Sequence, residues 1–105
     1  MSKKEKLLKA VREVRTEKET ENLLSEITEL IAQLPGQEDI YFARAELFYK
    51  LNRYGEAIND YMRVLEINPE NREAAGKIDI LKTILRFHNT DIYANPNTDM
   101  DPWLE

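Results

Sequence analysis

Two prolines, Pro35 and Pro69, stand 34 residues apart, and each closes a run of apolar residues at helical spacing. Ahead of Pro35 the run is Leu23, Leu24, Ile27, Leu30, Ile31 and Leu34. Ahead of Pro69 it is Tyr54, Ala57, Ile58, Tyr61, Val64 and Leu65. Proline cannot donate to the helix ladder, so both positions end a helix, and Gly36 suits the exit from the first. A period of this length marks a stack of helix pairs, each of which hides its apolar face only against its neighbours.

The rest of the chain reads the same way. Ser2-Lys3-Lys4-Glu5 is a capping box, in which the serine oxygen accepts an early helix amide and the glutamate reaches back. Leu7, Leu8, Val11 and Val14 follow at helical spacing and predict a short first helix. Thr16-Glu17-Lys18-Glu19 is a second capping box, and no apolar residue lies between Val14 and Leu23. A turn is predicted there; one continuous bent helix is the alternative. A third helix is predicted from about Glu38 to Leu51, with Tyr41, Ala45, Phe48 and Leu51 three or four apart. Asn52-Arg53-Tyr54-Gly55 forms a tight turn before the fourth helix, which Asn68-Pro69 closes. A fifth helix starts near Asn71 or Arg72 and runs to about Phe87. No segment alternates apolar and polar residues as a strand would. The fold class is therefore all-α, with about five helices, and the short connections make consecutive helices antiparallel neighbours.

Residues 38–71 resemble a tetratricopeptide repeat at six positions in both type and spacing. Tyr41 stands at the large apolar position early in the first helix, Ala45 at the small residue of the helix crossing, and Phe48 at the aromatic one turn later. Ala57 matches the small residue of the second helix, Tyr61 its aromatic and Pro69 its closing proline. Tyr54-Gly55-Glu56-Ala57-Ile58 is similar to the turn between the two helices. Arg44 departs from the pattern, which has leucine there, and Val64 replaces an alanine. One period earlier the frame is degenerate, with Leu7, Val11 and Val14 in place but Leu23 where alanine belongs. One period later only a first helix remains, with Ala75 and Ile78 at core positions and Asp79 where a small residue is usual. The resemblance implies antiparallel helix pairs stacked as a short right-handed tetratricopeptide-type solenoid over residues 1–88, about two and a half repeats. Residues 72–87 would be its capping helix, and 89–105 an irregular acidic tail.

The same resemblance implies a protein-interaction module or adaptor that binds a peptide or helix of another protein in a groove lined by the first helix of each pair. Carried over position by position, that groove presents Leu8, Arg12 and Arg15, then Asp39, Phe42, Glu46, Tyr49 and Lys50, then Glu73, Lys77, Ile80 and Ile84. Phe42 and Tyr49 lie seven apart, so both suit anchors for an incoming chain. Members that hold a terminal carboxylate do so with basic and amide residues at positions that here are Leu8, Arg12, Ala43, Glu73 and Lys77. Glu73 would repel a carboxylate, so that binding mode is not expected.

Other chemistries find no residues to carry them. The chain has no cysteine and one histidine, His88, which excludes thiolate nucleophiles and cysteine- or histidine-rich metal sites. Its three glycines, Gly36, Gly55 and Gly76, are too dispersed for a phosphate loop. Asp91, Asp99 and Asp101 lack the glycine and closing glutamate of a calcium loop. Carboxylates share polar helix faces with basic residues, and neither catalysis nor a cofactor is expected. The net charge is −5. Residues 1–18 carry Lys3, Lys4, Lys6, Lys9, Arg12, Arg15 and Lys18, but Glu5, Glu13 and Glu17 interrupt them. That pattern reads as a solvated face, so no nucleic acid and no membrane partner is expected. The start has neither a secretory signal nor an apolar span, which reads as a cytoplasmic protein.

The fifth helix has two apolar stripes, Ile78, Leu81 and Leu85 on one and Ile80, Ile84 and Phe87 on the other. A helix with one side open to water needs only one. The tail is the first candidate to cover the second stripe, through Ile92, Tyr93 and Trp103. A second copy of the chain is the alternative, which would make the protein a self-assembling homodimer. Leu104-Glu105 resembles the junction left ahead of an affinity tag and is given no function.

Overall fold

A computed structural model describes residues 2–88. They form five α-helices, Lys3–Glu13 (α1), Glu17–Gln33 (α2), Glu38–Lys50 (α3), Tyr54–Ile67 (α4) and Arg72–His88 (α5). There is no strand among the described residues. The expectations for Ile92, Tyr93, Trp103 and the acidic tail lie outside the described residues, as does the side chain of His88.

Local chemistry sets the boundaries. Ser2 and Thr16 each accept the amide three residues on, at 3.1 Å in both cases, and Glu5 and Glu19 bond back to the cap backbone. The second box breaks the chain at Val14–Thr16, so α1 and α2 are separate helices. The α3–α4 turn is closed by a left-handed residue, Asn52, at φ 61°. The Asn52 amide donates to Tyr49 O (3.0 Å) and the Arg53 amide to Phe48 O (2.9 Å). This is the paired-bond helix exit that glycine usually occupies and asparagine tolerates. Asn68 and Asn71 organise the last turn. Asn68 Oδ1 accepts the Glu70 amide (3.1 Å), and Asn71 Oδ1 accepts the Ala74 amide (3.0 Å), capping α5.

Two apolar clusters fill the stack, and α3 belongs to both. Tyr41, Ala45 and Phe48 pack with Ala57, Tyr61 and Val64 of α4 and with Ala74, Ile78 and Leu81 of α5. Ile40, Ala43 and Leu47, on the other side of α3, pack with Leu7 and Val11 of α1 and with Ile27 and Leu30 of α2. Ala45 and Ala57 are fully buried at the α3–α4 crossing, where a larger side chain would force the helices apart. One period earlier Leu23 takes the place of Ala57 and is only half-buried. Beside it a shallow cleft of about 320 Å³, lined by Ala10, Glu13, Val14 and Leu23 among others, separates α1 from α2.

Arg44 sits where the repeat pattern has leucine, and an aspartate on α4 pairs with it. Its guanidinium makes two bonds to the Asp60 carboxylate, Nε to Oδ2 at 2.7 Å and Nη2 to Oδ1 at 2.9 Å. Nη1 also reaches Thr28 of α2 at 3.4 Å. Asp60 is only 5% exposed, so its charge is tolerable only because the fork of Arg44 meets it. The bond to Asp60 raises the Arg44 pKa further.

Candidate groove for a partner chain

A groove of about 550 Å³ opens between α1, α3 and the start of α5. Its apolar lining is Leu8 and Val11 of α1 with Phe42 and Ala43 of α3. Phe42 is half-buried, its ring set edge-on to Tyr61 at 5.2 Å between centroids. The polar lining is Arg12, Glu38, Asp39, Glu46, Lys50, Asn71 and Glu73.

Most of those polar groups are already engaged in holding the groove open. Lys50 Nζ donates to Val11 O at 2.9 Å, which occupies a free carbonyl near the C-terminus of α1 and ties α3 to it. Lys4 pairs with Asp39 at 2.9 Å. Glu38 accepts from Asn68 Nδ2 (3.1 Å) and Asn71 Nδ2 (2.9 Å), fixing the start of α3 to the α4–α5 turn. Glu46 accepts the Tyr61 hydroxyl at 2.6 Å and faces Lys77 of α5 at 3.6 Å. Burial first, and the bond to Glu46 second, push the Tyr61 pKa far up, so the phenol stays a donor. Among the described residues no hydrogen bond or ion pair engages Arg12 or Glu73, and both are exposed.

Of the residues that sequence alone assigned to the groove, Leu8, Arg12, Asp39, Phe42, Glu46, Lys50 and Glu73 line it together. Tyr49 is half-buried against Tyr54, with centroids 5.8 Å apart, and Lys77 Nζ lies 5.6 Å from its ring centre. Lys77 reaches the groove only through Glu46. Ile84 is half-buried against the α3–α5 cluster, Ile80 is exposed, and neither lines the cavity. Arg15 follows the end of α1 and is also off the cavity. Among the packing positions Tyr41, Ala45, Phe48, Ala57 and Tyr61 are buried, whereas Pro69 is exposed. Val11, Glu38 and Asn71 are lining residues that sequence reasoning did not place there. Asn71 lies in the turn before α5, where no helical period identifies a face.

The pairing of α3 with α4, the buried alanines at their crossing and the turn that holds Pro69 fill residues 38–71, and a tetratricopeptide repeat family model matches that same span. Residues 38–71 are a tetratricopeptide repeat. No curated protein and no solved structure matches the chain. The five helices are the helical-repeat stack that such a repeat builds. Tetratricopeptide repeats are in general protein–protein interaction modules, which sets the broad functional class. Among the described residues no three His, Cys, Asp or Glu side chains gather as a metal site, and no helix is long and apolar enough to cross a membrane.

Proposed function

We propose that the groove between α1, α3 and α5 binds an extended peptide or a helix of another protein. The observation that carries this reading is the combination of an apolar floor with exposed charges at its rim that no protein group engages among the described residues. Leu8, Val11, Phe42 and Ala43 form a surface that gains from covering, while Arg12 and Glu73 offer opposite charges on opposite walls. The polar groups between them are held by bonds within the protein, so the groove is largely shaped before a partner arrives and binding costs little ordering. A peptide anchored by its terminal carboxylate is a poor occupant. Ala43 offers no donor side chain, Glu73 repels, and Lys77 is turned toward Glu46. The adaptor acts by binding and performs no reaction.

The test is affinity capture from cell extract with the wild type and an Arg12→Glu/Glu73→Lys variant. Both side chains are exposed and unbonded among the described residues, so the variant should keep its helix content by circular dichroism. A partner retained by the wild type and lost by the variant supports the groove. Identical capture by both proteins sinks it.

A further inference from the structure

We propose that the segment 89–105 folds back along the apolar flank of α5 and seats Ile92 and Tyr93 on Ile80, Ile84 and Phe87. The helix has three distinct sides. Ala74, Ile78 and Leu81 are buried in the stack. Ala75, Asp79, Lys82 and Arg86 form a second side that is exposed and mostly polar. On the third, Ile80 is 53% and Phe87 75% exposed, with half-buried Ile84 between them. Positions 80, 84 and 87 share one helix face. Lys77, one turn earlier on that flank, reaches Glu46 and the Tyr49 ring, so the stripe lies on the side that α5 turns toward α3.

A second copy fits this stripe poorly. The outer side of α5, where a further helix would stack, is the polar one. Three side chains also fall well short of the roughly 800 Å² per partner that a stable complex buries. The chain's own continuation fits better. It begins where α5 ends, next to Phe87. Phe87 to Ile80 spans only about 10 Å of helix axis, whereas the five residues from Phe87 to Ile92 reach up to about 17 Å when extended. Ile92 and Tyr93 are therefore within reach of the stripe from its Phe87 end.

The chain has no cysteine, so Ala94→Cys gives one site for a spin label in the full-length protein. The readout is the isoleucine methyl spectrum at a concentration where the measured mass is that of one chain. Broadening should be strong at Ile80 and Ile84 and weak at Ile27 of α2, which is buried in the opposite cluster. At Ile84 it should fall at least twofold in an Ile80→Asp/Phe87→Asp background, and equally in Ile92→Asp/Tyr93→Asp, with helix content unchanged. A tethered but undocked segment would broaden Ile84 alike in all three proteins and overturn the proposal. So would broadening that arises only between labelled and unlabelled copies, which would assign the stripe to a second copy.

Discussion

Ala57 shows how much one small side chain decides. It is fully buried at the α3–α4 crossing, opposite the equally buried Ala45 and beside Tyr61. Ala57→Leu adds three carbons where there is no space, and overpacking of this kind costs about 1–3 kcal/mol. Chemical denaturation should therefore give a lower midpoint with the same slope, whereas exposed Glu56→Gln should stay within about 0.5 kcal/mol of wild type. Equal midpoints for Ala57→Leu and wild type would contradict the crossing itself. Ala57 was legible from sequence because its spacing to Ala45, Tyr61 and Pro69 is fixed by the repeat. Arg44 was legible only as an irregularity. Its partner Asp60 is sixteen positions away on the next helix, and no local period links an arginine on one helix to an aspartate on another. Lys50 is a similar case. It reads as a groove charge, and in the fold its ammonium also caps α1 through Val11 O.

At the scale of elements, the helix starts were the most legible features because a capping box is a local device. Thr16 accepts the Glu19 amide, and the Glu19 carboxylate accepts from the Arg15 and Thr16 amides at 3.2 and 3.4 Å. The bond from Arg15, followed by that from Thr16, holds the Glu19 pKa below its ordinary 4.5. A depressed carboxyl pKa stabilises the fold above the unfolded value, and the contribution is lost as pH falls through the folded one. The amide proton shifts of Arg15 and Thr16 should therefore titrate together with a midpoint below 4.5 and stop titrating in Glu19→Gln. Thr16→Ala should destabilise by about 1 kcal/mol at neutral pH. A midpoint at or above the ordinary glutamate value would show that the box does not hold in solution. Helix α3 was the least legible element. Tyr41, Ala45 and Phe48 mark the face it turns to α4, but Ile40, Ala43 and Leu47 make the opposite face equally apolar. A helix buried on two sides has no single stripe to read, so its central place emerges only once both neighbours are positioned.

That central place should make the five helices one cooperative unit with a weak end. Among the described residues, α3 is the only element that contributes buried side chains to both clusters, so the α1–α2 and α4–α5 halves are joined through it. Leu47 is fully buried on its α1–α2 side, and Leu47→Ala leaves a cavity that costs about 2–5 kcal/mol. Because α3 must hold its shape for Tyr41, Ala45 and Phe48 to meet α4, that loss should reach the far cluster. Hydrogen exchange should accelerate in all five helices, α4 and α5 included, although neither touches the substituted site through the cluster that contains it. Leu7→Ala should behave differently. Helix α1 supplies two buried side chains, Leu7 and Val11, and its packing on α2 is interrupted by the cleft beside Leu23. Its opening breaks the Lys50–Val11 and Lys4–Asp39 contacts but leaves α3 packed against α2 and α4, so faster exchange should be confined to α1. Acceleration limited to α1 and α2 in Leu47→Ala would show two independently stable halves. In that case the groove, with walls on α1, α3 and α5, would change shape as its halves opened separately.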